Sequence, residues 1–264
     1  MIGAIIGDIV GSRFEWHNIK TKEFDFFGKR CRFTDDTVMT LAVCDALMAC
    51  DNYDELSSYA IKSMQELGNA YPRAGYGKRF KAWLKSKTPE PYNSWGNGAA
   101  MRVGGCGYVG ESIEEVMNLA QTVTAVTHDH PEGIKAAKAV AVAVFLARTG
   151  KSMDEIYTYI NDTYYSIDFT LDAIRDTYKF DVSCQGSVPQ AFAAFFESKN
   201  FEDAIRNAIS IGGDSDTIAA ITGSIAEAYY GVPDAIRQQA GTFLDERLTR
   251  ILTAFEIKYT AHKK

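Results

Sequence analysis

Two short stretches concentrate hard oxygen donors at the start of apolar helical runs. In "RFTDDTVMTLAVCDALMAC" Thr34, Asp35, Asp36 and Thr37 come first, and in "ISIGGDSDTIAAITGSIAEAYYG" Asp214, Asp216 and Thr217 do the same. A helix N-terminus needs one side-chain acceptor and tolerates one nearby anion, so a single copy reads as capping. A second copy changes that reading. Carboxylates facing each other in a low-dielectric interior repel, and an unpaired buried charge is costly. A cation resolves the conflict. No nearby Cys or His spacing suggests zinc, and oxygen-only ligation selects Mg²⁺, Mn²⁺ or Ca²⁺. Thr34, Asp35, Asp36, Asp214, Asp216 and Thr217 are therefore expected to hold a pair of ions sharing a bridging carboxylate, about 3.5–4 Å apart.

Further candidates lie between the two clusters. "NSWGNGAAMRVGGCGYVG", residues 93–110, is dense in Gly with Trp95 at its lip; Gly lets backbone N–H groups approach an anion, and Asn and Ser add donors. "RAGYGKRF", residues 73–80, reads as a second flexible turn opening a helix. In "VTHDHPEGIKAA" His128 and His130 flank Asp129 ahead of Pro131, a capped helix entrance with Pro in its first turn. Glu15, in "GSRFEWHN", reads on its own as a solvated residue after the first helix.

These groups need a rigid frame, and the chain supplies a helical one. In "MIGAIIGDIVGS" Ile2, Ile5, Ile6 and Ile9 mark one face while Gly3, Gly7 and Gly11 recur every four residues on another, a row suited to close helix approach. Further helices are expected at about 36–50, 54–67, 75–86, 113–127, 132–148, 153–164, 187–198, 201–211, 215–230 and 242–257. Ser112 with Glu115 and Ser152 with Glu155 fit the capping-box spacing, and Gly68 and Gly150 mark helix stops. No segment shows strand alternation. The expected fold is an all-α, orthogonal multi-helix bundle forming a single domain over 1–264.

Composition narrows the function. A net charge of −6 argues against a nucleic-acid surface. The five Cys form no C-x-x-C pair and read as reduced core residues in a cytoplasmic protein. The opening segment is short, carries Asp8 in its middle and lacks a basic leader, so it reads neither as a signal peptide nor as a membrane span. A soluble monomer is expected.

Taken in order, "GAIIGDIVGSRFEW", "TDDT", "GYG", "GNGAAMR", "TH", "SVPQAF" and "GGDSDTIAAITGSIAEAYYG" resemble the ADP-ribosylglycohydrolases. The resemblance implies an all-α fold holding two Mg²⁺ or Mn²⁺ ions. It implies hydrolysis of the bond between the anomeric ribose carbon of ADP-ribose and an acceptor group, so the expected partner is an ADP-ribosylated protein or an ADP-ribose derivative. By position it makes Thr34, Asp35, Asp36, Asp214, Asp216 and Thr217 the metal ligands and Glu15 the movable catalytic acid, with Asp35 and Asp36 as alternative bases. Ser94, Trp95, Asn97 and Gly98 would line the ADP-ribose site, Gly75 and Gly77 would hold the diphosphate, and His128 the far ribose or adenine region. The rivals are a non-catalytic ADP-ribose binder and an HD-type metal phosphohydrolase. The latter is suggested by the His128-Asp129 doublet and would draw further ligands from His17, His130 and His262.

Overall fold

The row Gly3, Gly7, Gly11 decides how the first helix sits. A β-carbon on Gly3 would come within 2.3 Å of the Gly223 carbonyl oxygen, one on Gly7 within 2.0 Å of the Ala219 carbonyl oxygen, and one on Gly11 within 2.5 Å of the Asp216 Cα. Only glycine lets the two backbones touch there, and every residue of this first helix is buried.

The computed structural model describes residues 1–260. Among these residues fourteen α-helices follow one another: α1 (Ile2–Gly11), α2 (Asp35–Ala49), α3 (Leu56–Ala70), α4 (Lys78–Leu84), α5 (Gly104–Val109), α6 (Ile113–Ala125), α7 (Pro131–Arg148), α8 (Met153–Thr163), α9 (Leu171–Ile174), α10 (Cys184–Phe196), α11 (Phe201–Ser210), α12 (Ser215–Tyr230), α13 (Asp234–Gly241) and α14 (Glu246–Tyr259). Among the described residues there is no strand, only an isolated antiparallel bridge between Gly96 and Ser183. Helix α12 is the hub, packed along α1 and against α11, α10 and α7. Its buried stretch from Ser215 to Ala226 joins the isoleucines of α1, the alanine- and valine-rich middle of α7, and Phe192 and Phe195 of α10 in one apolar core. All five cysteines are buried and free.

Most expected helices are present, and the departures have local causes. The expected helix over 242–257 starts later, as α14 at Glu246, because the Asp245 side chain accepts from the Leu248 amide and caps it there, and the short helix α13 before it was not expected. The glycines at 104–107, read as part of an anion cradle, form the buried helix α5. A β-carbon on Gly104 would meet Ser224 Oγ at 2.1 Å and one on Gly107 the Ala141 carbonyl oxygen at 2.5 Å, so these glycines serve helix packing. Gly68 does not stop α3; it lies within the helix against Leu84, and α3 runs to Ala70. Gly150, at φ +82°, does end α7. Ser152 and Glu155 complete a reciprocal capping box on α8, whereas Glu115 turns to the Glu111 amide and leaves Ser112 to cap α6 alone.

Candidate functional site

At the start of α2, Thr34 occupies the cap position and its hydroxyl accepts the Asp36 amide. The next free amide, that of Thr37, donates across to Asp8 of α1 at 3.0 Å. Asp8 also takes the Thr34 amide at 2.8 Å, the Thr34 hydroxyl at 2.7 Å and the Thr37 hydroxyl. Asp8 is fully buried, and burial raises its pKa against the pull of these hydrogen bonds. The sequence reading missed it as a functional residue. The available signal was a lone carboxylate in a wholly apolar ten-residue helix, since a charge buried there needs partners.

At the start of α12, Gly212 and Gly213 take φ values of +68° and +77°, which turn the chain so that Asp214 stands at the cap position without making a side-chain cap bond. Its carboxylate instead accepts from Asn97 Nδ2 at 2.7 Å. Asn18 clamps the two loops together: its side chain donates to the Gly213 carbonyl and accepts the Gly213 amide, and it also donates to the carbonyls of Phe14 and Glu15.

The close approach of α1 and α12 then brings acids together in two overlapping trios. Carboxylate oxygens of Asp8, Asp36 and Asp216 lie within 4.8 Å of one another, and so do those of Glu15, Asp214 and Asp216. Asp216 belongs to both. Asp36 Oδ1 is buried with no hydrogen-bond partner, while its Oδ2 accepts the Thr217 hydroxyl at 3.2 Å. An orphaned carboxylate oxygen beside other carboxylates is a donor set suited to a hard cation, and these residues fit one.

The mutual repulsion is legible in Asp36, Asp216, Glu15 and Asp35. Burial, then the charges of Asp8, Asp35 and Asp214, push Asp36 well above the usual carboxylate range; burial, then Asp214 and Asp36, do the same to Asp216. Glu15 is pushed up to about 7 by burial and then by Asp214, against the pull of Arg32. Asp35 reaches about 7 through burial and then Asp8, against the pull of a backbone hydrogen bond. Asp35 lines the cavity but belongs to neither trio. Thr34 is engaged with Asp8 and Thr217 with Asp36, so both expected ligands bridge to carboxylates here.

The acids open into a cavity of about 460 Å³ whose lining includes Glu15, Asp35, Asp36, Asp214, Asp216 and Thr217 together with Gly75, Gly77, Ser94, Asn97, Gly98 and His128. Hollows of about 620 and 660 Å³ elsewhere hold none of the candidate residues. Gly75 is needed where it stands: its φ is +122° and a β-carbon would lie 2.8 Å from Asp35 Oδ1. Gly77 precedes α4 with open space around it.

Trp95 does not line the cavity. Gly96 is extended, ahead of a 3₁₀ turn over Asn97–Ala99, and pairs with Ser183 through Asn97 N to Val182 O and Cys184 N to Trp95 O, both 2.8 Å. Alternate residues of an extended segment face opposite ways, so Ser94 and Gly96 line the cavity while Trp95 is half exposed with its ring against His130. The aromatic pair at the cavity is instead Trp16 and Phe180, stacked 5.1 Å apart and both exposed. Arg102, also missed, lines the cavity while being 1% exposed.

The HD-type alternative finds no support in this geometry. Among the described residues the acid trios contain no histidine. Asp129 accepts the Asn93 amide, His130 caps α7, as the sequence suggested, and His17 is exposed; His262 lies outside the described residues.

Comparison with known proteins agrees with the fold. The ADP-ribosylglycohydrolase family model matches residues 1–260. The chain is 29% identical to the ADP-ribosylhydrolase ARH3 of Homo sapiens over 90% of this chain and 87% of that one. It is 24% identical to the ADP-ribosylarginine hydrolase Tri1 of Pseudomonas putida over 88% of this chain and 70% of that protein. A solved structure titled "ADP-ribosylglycohydrolase-related protein complex" superposes with a TM-score of 0.69 at 21% identity, covering 96% of this chain and 95% of its own. No helix among the described residues is long and apolar enough to cross a membrane. With a family match running from its first residue to residue 260 and an acidic cavity built by the motifs themselves, the chain belongs to the ADP-ribosylglycohydrolase family.

Proposed function

We propose that this chain is a divalent-metal-dependent hydrolase that releases ADP-ribose from modified arginine or serine side chains, or from a related ADP-ribosyl conjugate. The observation that carries the reading is the pair of acid trios sharing Asp216 beside a cavity lined with polar groups. Asp8, Asp36 and Asp216 would hold one Mg²⁺ or Mn²⁺, and Asp214 and Asp216 a second, with the carboxylates of Glu15 and Asp35 and the hydroxyls of Thr34 and Thr217 beside them. Bound there, the ions would supply charge neutralisation, a grip on ribose hydroxyls and polarisation of water.

The remaining chemistry falls to side chains. Glu15 is half-buried at the edge of the acid cluster, where a carboxylate can take up a proton and pass it on. In the proposed reaction it takes a proton from water as the water oxygen bonds to the anomeric carbon, and the proton is passed to the departing nitrogen or oxygen of the acceptor. Asp214, held by Asn97, orients that water together with Glu15. Ser94, Asn97 and Gly98, with Gly75 and Gly77, bind the sugar and diphosphate. Trp16 and Phe180 stand where the acceptor side chain enters. A single domain over 1–264, acting as a monomer in the cytoplasm, completes the proposal.

The test is incubation with proteins ADP-ribosylated on defined arginines or serines, with and without added Mg²⁺ or Mn²⁺. Release of ADP-ribose that stops on chelation supports the reading, and the preferred substrate names the acceptor. Tight ADP-ribose binding with no release from either substrate would replace it with a binding function.

A further inference from the structure

Arg102 is fully buried, and among the described residues its guanidinium has no carboxylate within ion-pair distance. A buried charge left in this way needs a purpose. Its Nη2 donates to the Thr127 hydroxyl at 2.5 Å and lies 3.4 Å from His128 Nδ1. The Thr127 hydroxyl in turn is 2.7 Å from His128 Nδ1 and 3.4 Å from the Thr124 carbonyl.

A hydroxyl has one proton to give. With one lone pair of Thr127 taken by a guanidinium that can only donate, the hydroxyl proton goes to the nearer acceptor, His128 Nδ1. A hydrogen on Nδ1 would face the guanidinium, whereas a lone pair there is stabilised by it. The imidazole proton therefore sits on Nε2. That nitrogen faces the two cavity-lining glycines, since a β-carbon on Gly98 would be 3.4 Å from it and one on Gly96 3.7 Å. Burial, then the charges of Arg102 and Arg79, keep the ring neutral, and the uncharged Tyr92 ring lies beside it.

We infer that Arg102 and Thr127 are positioning residues, which fix His128 as a neutral Nε2–H donor aimed into the cavity at an acceptor oxygen of the bound ADP-ribosyl group. The ligand half of this statement rests on the proposed function; the tautomer half does not.

Long-range ¹H–¹⁵N NMR of the imidazoles, with His128 assigned by its loss in His128→Gln, reads the tautomer directly in the protein without nucleotide. A protonated Nε2 and a bare Nδ1 are expected; a protonated Nδ1 overturns the inference. Thr127→Val keeps the shape and deletes the hydroxyl. It should shift the His128 pattern and weaken ADP-ribose binding about three- to tenfold, the weight of one hydrogen bond, with the Mg²⁺ titration unmoved and Thr127→Ser restoring both. A shifted pattern with unchanged ADP-ribose affinity would also overturn it. Failure of the unaltered protein to bind ADP-ribose would instead remove the functional reading and the ligand half of the inference with it, leaving the tautomer result standing.

Discussion

Asp8 accepts the Thr37 amide across the gap between α1 and α2, so the carboxylate of one helix caps another. It holds the start of α2 in place and sets Asp36 beside Asp216. Two substitutions separate these roles. Asp8→Asn keeps an oxygen for the amides, and the Thr34 hydroxyl can turn to accept from the new amide. The variant should fold, with Mg²⁺ affinity reduced about ten- to hundredfold, the weight of one charged contact. Asp8→Ala leaves two buried amides unpaired and should lose about 2 kcal/mol or more in urea unfolding. An Asp8→Ala protein as stable as the parent would show that Asp8 neither caps α2 nor joins it to α1.

The glycine row gives a second expectation. An alanine at Gly7 places its β-carbon 2.0 Å from a backbone carbonyl oxygen of α12 that cannot swing aside. Overpacking of this kind costs about 1–3 kcal/mol or more, and the forced separation carries Asp8 away from Asp216. Gly7→Ala should therefore lower both unfolding free energy and Mg²⁺ affinity. Gly241→Ala, with open space around it, should change neither by more than about 1 kcal/mol. Equal behaviour of the two variants would contradict the close contact of α1 and α12.

What the sequence disclosed and what it hid follow from the range of the forces involved. Asp36, Asp214 and Asp216 were legible because capping positions are set by residues a few apart along the chain. The role of Asp8 was not, because its partners are 26 and 29 positions away and its own surroundings are those of an ordinary core helix. Glu15 looked solvated until the Asn18 clamp to Gly213, 195 positions distant, placed it beside Asp214. The side to which Trp95 turns depended on pairing with Val182 to Cys184, which no local pattern announces. Helix existence was read well for the same reason that site geometry was read only in part: the first is local, the second is not.

The raised pKa values make a statement about pH. Glu15 and Asp35 stand at about 7 in the folded chain against 4.5 and 3.8 for the free side chains, and Asp36 and Asp216 stand well above 3.8. Between the two ranges the folded chain binds more protons than the unfolded one, so stability falls as pH rises through 7. In EDTA the thermal midpoint should be lower at pH 8 than at pH 5.5. Mg²⁺ should raise it most at pH 8, where the ligands are free of protons; a hundredfold excess over the dissociation constant adds about 2.7 kcal/mol of stability per site. A midpoint in EDTA that stays flat or climbs with pH would argue against the clustering of these acids.

Glu15 is the residue on which binding and chemistry should part. The structure qualifies the expectation from sequence, because the Glu15 carboxylate lies within 4.8 Å of those of Asp214 and Asp216 rather than apart from every acidic cluster. Glu15→Gln keeps an oxygen at that distance while Asp214 and Asp216 remain, so the Mg²⁺ midpoint should move less than about tenfold, the equivalent of one neutral hydrogen bond. The amide cannot take a proton, and general acid–base groups contribute about 10²–10⁴-fold in rate; release of ADP-ribose should fall by that factor. The comparison variant is Asp35→Asn, which alters the other cavity carboxylate at about 7. If Glu15→Gln turned over at the parent rate while Asp35→Asn lost the full factor, proton transfer would belong to Asp35, and Glu15 would be left with a share in cation binding alone.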